Sequence, residues 1–170
     1  FLSHKSTGLV GDVFNAEAIA KTGLKGTAAI GHVRYSTAGG GGEANIQPFT
    51  ANTHFGKVAL AHNGNLTNSE HVRDKLLKEG RTFQSSSDTE VILHLMALSK
   101  ENTPLAALKD ALSHVEGAYS LVVLTDSGTF GMRDPNGFRP LVIGKLDGQY
   151  MLASETCALD IIGADFVRDV

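Results

Sequence analysis

The chain has 170 residues, 42% of them hydrophobic, with 19 glycines and a formal net charge of -3. That length supports one domain with a sizeable core. The near-neutral balance and the lack of Lys or Arg runs argue against nucleic acid or an anionic membrane as partner, and no apolar run reaches the length of a membrane span.

The single cysteine, Cys157, rules out an internal disulfide and a cysteine-based metal cluster within the chain, and it fits a reducing cytoplasm. The opening residues, Phe1-Leu2-Ser3-His4-Lys5, do not resemble a signal peptide.

In chain order, residues 8–14 read as a short apolar strand or loop, and Asn15 as the cap of a helical turn through Ala20. Residues 26–35 are predicted as a strand, small at first and β-branched later, running into the glycine loop 36–42. Residues 47–50 lead into a hairpin turning near 52–56, whose return strand is 57–61. Three helices are predicted next. The first has Thr67 and Glu70 at capping-box spacing and ends at Gly80; the second opens at Ser87-Asp88-Thr89-Glu90. The third opens at Thr103-Pro104 and ends at Gly117. The last third turns to β: strands at 118–125 and 130–133, a turn at Asp134-Pro135-Asn136-Gly137, a hairpin about Asp147-Gly148, a short helix near 156–162 and a final strand from Phe166. Strands, a run of helices and strands again indicate an α+β domain with layered antiparallel sheets.

A few residues carry chemistry. His62-Asn63-Gly64-Asn65 ends a buried strand in polar groups; Asn63-Gly64 is a strong turn dipeptide, and the same cluster suits a developing oxyanion. Arg34 at a strand end is either a structural ion-pair partner or a two-pronged grip on a carboxylate. Asp88 at a helix start either pairs with the helix dipole or receives an ammonium. Arg34 and Asp88 together would recognise an α-amino acid. The seven histidines show no metal-binding pattern, and His32 and His62 read as structural. Cys157 reads as a buried structural thiol.

The series 31–39 (Gly-His-Val-Arg-Tyr-Ser-Thr-Ala-Gly), 47–49 (Gln-Pro-Phe), 61–68 (Ala-His-Asn-Gly-Asn-Leu-Thr-Asn), 87–90 (Ser-Asp-Thr-Glu), 133–141 and 153–160 resembles the class II glutamine amidotransferase domain of the amidophosphoribosyltransferases. The resemblance spans essentially the whole chain. It implies an N-terminal-nucleophile hydrolase-type four-layer αββα sandwich with antiparallel sheets, its N-terminal strand region missing here. Residues 1–170 would then be a partial glutamine amidotransferase domain, with a phosphoribosyltransferase domain expected beyond 170.

The function implied is release of ammonia from L-glutamine for transfer to phosphoribosyl pyrophosphate, giving phosphoribosylamine in cytoplasmic purine biosynthesis. By motif, Asn63 and Gly64 form the oxyanion hole, and Arg34, Tyr35, Thr37 and Asp88 bind substrate. The family's nucleophile is an amino-terminal cysteine, which Cys157 does not replace, so this stretch alone is expected to be inactive. The resemblance implies no cofactor or metal in this domain, Mg2+ in the phosphoribosyltransferase domain and a homo-oligomeric parent. It leaves open an iron–sulfur cluster in that parent. A degenerate, non-catalytic binding module or another class II amidotransferase is the alternative.

Overall fold

In the computed structural model, which describes residues 1–34 and 43–170, the period-two apolar runs become two facing antiparallel sheets. The chain enters through two short helices, α1 (Val10–Val13) and α2 (Ala16–Thr22). Asn15 caps α2 as its residue type predicts, its side chain accepting from the Ala18 N–H at 2.9 Å. Where a strand or loop was predicted over 8–14, a single helical turn forms instead, closed by the Phe14 N–H on the Val10 carbonyl. Residues 26–34 carry no ladder, although their composition predicts a strand. β-Propensity favours an extended chain, but a strand also needs a partner edge, and none of the described strands supplies one.

The first sheet has the order β1 (Phe49–Thr53), β2 (Gly56–Leu66), β3 (Gly117–Thr125) and β4 (Gly128–Arg133), every pair antiparallel. Side chains alternate across a strand, so one parity of β2 and β3 meets the helices and the other meets the second sheet. Val58, Leu60 and Leu66 of β2 and Tyr119, Leu121 and Val123 of β3 join one core with Ile92, Met96 and Leu108. These last come from α4 (Thr89–Leu98) and α5 (Pro104–Leu112), while α3 (Ser69–Lys78) packs on α4 through Val72, Leu76 and Val91. Each such side chain contributes about 1.5–3 kcal/mol when fully buried.

The second sheet has the order β6 (Gln149–Ala153), β5 (Val142–Leu146) and β7 (Asp165–Asp169). Its outer face is covered by α6 (Cys157–Ile162) through Leu159, which fills the space a side chain on Gly144 would take. The two sheets meet at Gly131, where an added Cβ would lie 2.8 Å from Leu152. The layers therefore run helices, sheet, sheet, helix, the four-layer αββα sandwich expected.

Several local expectations change. The Asn63-Gly64 pair is not a turn: both residues lie inside β2, because β3 pairs with β2 as far as Leu66 and holds them extended. α5 ends at Leu112, and Gly117 opens β3 rather than closing the helix. Neither capping box forms. α3 starts after Asn68, which accepts from the Glu116 N–H and donates to the His114 carbonyl, and Glu90 turns back to the loop before α4. Cys157 is exposed, not buried, since α6 turns Leu159 rather than its first residue to the sheet. Thr103, by contrast, caps α5 on the Ala106 N–H as predicted.

Candidate functional site

The site is built on a mismatch in strand length. β1 pairs with β2 only as far as Phe49 opposite Leu60, yet β2 runs on to Leu66. Along an antiparallel strand, the N–H and C=O of alternate residues point to one edge. Leu60, His62, Gly64 and Leu66 therefore present theirs to the edge that β1 leaves, and two side chains take over there. The Gln47 amide accepts from the His62 N–H at 2.7 Å and donates to the His62 carbonyl at 3.2 Å. The Asp88 carboxylate accepts from the Leu66 N–H at 2.9 Å.

Gly64 lies between them. Its register partner, Tyr119, turns both its N–H and its C=O to Asp134, at 3.3 and 2.8 Å, so the Gly64 N–H points away from β3. That N–H has no partner among the described residues. A side chain at Gly64 would strike the Ala118 carbonyl oxygen and come within 2.6 Å of His62 Nε2, so only glycine fits the strand there.

Asn63, of opposite parity, is exposed and looks into the space between the sheets. This is a cavity of about 1140 Å³ with Asn63, Ala61 and Val122 on one wall and Ile143 and Leu152 on the other. The Asn63 side chain makes no hydrogen bond among the described residues, which leaves its amide donor available. An N–H and a side-chain amide on successive residues can stabilise an oxyanion without a counter-charge.

Asp88 sits at the N-terminal end of α4 and is partly exposed. Burial pushes its carboxyl pKa up. His62 Nδ1 at 3.6 Å, the Leu66 N–H and the Thr89 hydroxyl outweigh that and hold it below the usual carboxylate value. The anion is thus held at a helix start, where the dipole also favours it. The loop before it is tied by Glu90, which accepts from the N–H groups of Gln84 and Ser85 and from the Ser85 hydroxyl at 2.6–2.9 Å.

Arg34 is exposed, and its Nη1 reaches the Asn45 carbonyl at 3.4 Å. The Asn45 side chain in turn accepts from the Ser86 N–H at 3.1 Å, so Arg34 and the Asp88 loop are anchored on the backbone and the side chain of one buried residue. The structure therefore gathers Asn63, Gly64 and Asp88 along β2 and ties Arg34 to the same loop. Tyr35 and Thr37 lie outside the described residues.

Sequence reasoning missed Asn45, Gln47 and Thr89. Gln47 stands in the predicted Gln-Pro-Phe stretch, and the signal for it was an amide placed before a proline that cannot donate to a ladder. His32, read as structural, sets its Nε2 3.1 Å from the His62 carbonyl; burial lowers its pKa, opposed by that bond and reinforced by His62 and Arg34.

The family model for the glutamine amidotransferase domain matches residues 32–160. The amidophosphoribosyltransferase of Bacillus subtilis (strain 168) is 46% identical over 169 residues, 99% of this chain and 35% of the relative. The chloroplastic amidophosphoribosyltransferase of Glycine max is 51% identical over 165 residues, 96% of this chain and 29% of the relative. The chain thus spans about a third of the length of these curated relatives.

Among solved structures, one described as the allosteric regulatory enzyme of purine biosynthesis superposes with a TM-score of 0.92 at 46% identity, over 98% of this chain and 36% of that chain. Another, the glutamine phosphoribosylpyrophosphate amidotransferase of B. subtilis complexed with ADP and GMP, gives 0.90 at 43% identity over the same shares. A family model covering most of the chain, joined to an N-terminal-nucleophile hydrolase fold, places this chain in the glutamine amidotransferase domain family.

Proposed function

We propose that this domain hydrolyses the side-chain amide of L-glutamine and that the protein carrying it passes the ammonia to phosphoribosyl pyrophosphate, forming phosphoribosylamine. The observation that carries the reading is the Gly64 N–H, without a partner among the described residues, beside Asn63 and two residues from the Leu66 N–H that anchors Asp88. In this reading Asp88 takes the glutamine α-ammonium and Arg34 its α-carboxylate, with Tyr35 and Thr37 alongside. The extended side chain of the zwitterion then brings its amide to Asn63 and Gly64.

An amino-terminal cysteine of the full-length protein attacks the amide carbon, its own α-amino group accepting the thiol proton; an α-amino pKa of about 8 suits that task. Asn63 and Gly64 bind the oxyanion of the tetrahedral intermediate. Collapse expels ammonia and leaves a thioester, and water releases glutamate. The domain's own chemistry uses side chains and backbone alone, and Mg2+ belongs to the transferase domain.

The similarity to amidophosphoribosyltransferases along nearly the whole chain supports the second half of the reading. In this reading the parent protein is cytoplasmic and homo-oligomeric. No described helix is long and apolar enough to cross a membrane. The test is a coupled assay on the full-length protein with glutamine, phosphoribosyl pyrophosphate and Mg2+. Stoichiometric glutamate and pyrophosphate release is expected, with ammonium salts replacing glutamine. Pyrophosphate release with ammonium and no glutamate release with glutamine would make the domain a non-catalytic binding module.

A further inference from the structure

His62 and Thr89 are buried polar residues that the reaction scheme leaves without a task. Thr89 is fully buried, and His62 is 4% exposed. His62 has the helix-side parity of β2, so its ring enters the apolar core rather than the cavity. Its Nδ1 lies 3.1 Å from Thr89 Oγ1, and the Thr89 hydroxyl donates to Asp88 Oδ1 at 3.3 Å. A hydroxyl has one proton. With that proton given to Asp88, Thr89 offers a lone pair to the ring, so His62 Nδ1 is the donor. His62 Nε2 is buried with no hydrogen-bond partner among the described residues, packed against Gly64. Burying polar atoms in this way costs stability, so the ring is placed for what its other nitrogen does.

The chain of donors ends on the Asp88 carboxylate. One oxygen takes the Thr89 hydroxyl and the other takes the Leu66 N–H. Two donors arriving from α4 and from β2 fix the carboxylate plane and leave a lone pair on each oxygen for a ligand. The His62 backbone is itself clamped by Gln47, so the ring cannot drift.

We propose that Thr89, oriented by the His62 ring, is a positioning residue that sets the Asp88 carboxylate for the α-ammonium of the substrate. The proposal rests on the reading of Asp88 as the ammonium site. Thr89 touches no substrate in this arrangement; it acts through Asp88 alone.

A double-mutant cycle on the full-length protein tests it, with KM and kcat for glutamine measured for Thr89→Val, Asp88→Asn and the pair. Thr89→Val keeps the shape and removes the hydroxyl. It is expected to raise KM roughly five- to twentyfold with kcat within about twofold. Thr89→Ser is expected to restore KM to within about twofold, since it returns the hydroxyl. In the Asp88→Asn background, Thr89→Val is expected to add nothing. Penalties that multiply would overturn the proposal, as would a fall in kcat with KM unchanged. A normal KM for Asp88→Asn would instead overturn the ammonium-site reading beneath it. Should Thr89→Val not fold, as its melting temperature will show, His62→Gln enters the same cycle with the same expectations.

Discussion

The side-chain amide of Gln47 occupies the ladder position opposite His62, continuing the register that pairs Phe49 with Leu60. A side chain thus completes the edge of β2 where Pro48, which has no N–H, interrupts the backbone. Gln47→Leu removes both bonds and leaves the buried His62 N–H without a partner among the described residues, while the His62 carbonyl keeps His32 Nε2 at 3.1 Å. An unsatisfied buried group costs about 1–3 kcal/mol, so a loss of about 1–3 kcal/mol is expected. Urea unfolding of wild type and variant measures it; an unchanged midpoint would mean that water replaces the amide.

Asn63 and Gly64 are neighbours with separable roles. Asn63→Ala removes an exposed, unbonded amide, and its effect on stability is expected within about 0.5 kcal/mol. Its effect on catalysis is expected to be large: kcat for glutamine down about a hundredfold or more, KM little changed, because the donor matters only in the transition state. Gly64→Ala pushes a methyl group against the Ala118 carbonyl and His62. It is expected to destabilise by about 1–3 kcal/mol or more, whatever it does to the rate. Melting curves beside steady-state kinetics separate the two variants.

Arg34 is exposed and, among the described residues, reaches Asn45 with one nitrogen. Arg34→Lys keeps the charge and loses the two-pronged fit to a carboxylate. A charge-assisted hydrogen bond is worth about 1.5–3 kcal/mol, so kcat/KM for glutamine is expected to fall roughly ten- to a hundredfold. A fall of the same size in stability, with KM unchanged, would make the residue structural.

Asp134 gives a pH prediction. It is almost fully buried at the end of β4, where burial raises its pKa. Backbone N–H groups of Phe138, Tyr119, Asn136 and Arg139 more than offset this and hold it below the usual value. A carboxyl whose native pKa is depressed contributes its full stabilisation above the unfolded value of about 3.9 and loses it as pH falls through the lower native value. Asp88 and Glu90 are depressed too. The urea midpoint is therefore expected to decline gently as pH falls through about 6.5, where protonation of His32 and His94, both held below the usual imidazole value, favours the unfolded chain, and to drop steeply below about pH 4. Asp134→Asn should be less stable at pH 7 and should show a shallower acid limb. An equally steep limb would place the titration elsewhere.

The sequence by itself determined what depends on local chemistry. Asn15 and Thr103 cap their helices, Gly80 follows α3 with a positive φ of 82°, and Asp147-Gly148 closes its hairpin with both residues at positive φ, because each answers to neighbours a few positions away. The motif series carried the family and picked out Arg34, Asn63, Gly64 and Asp88 as candidates.

Only the tertiary structure decided whether Asn63-Gly64 would turn or run straight. The dipeptide favours a turn alone, but nine consecutive pairings between β2 and β3 outweigh that preference. Only the fold showed that β1 stops short of the end of β2, and so why Gln47 and Asp88 stand at that edge and the Gly64 N–H has no partner among the described residues. Glu90 was expected to complete a capping box with Ser87, and Thr89 had no expected role. They bind the loop and carboxylate before α4, because burial requires each polar group to find its partner wherever packing has put one.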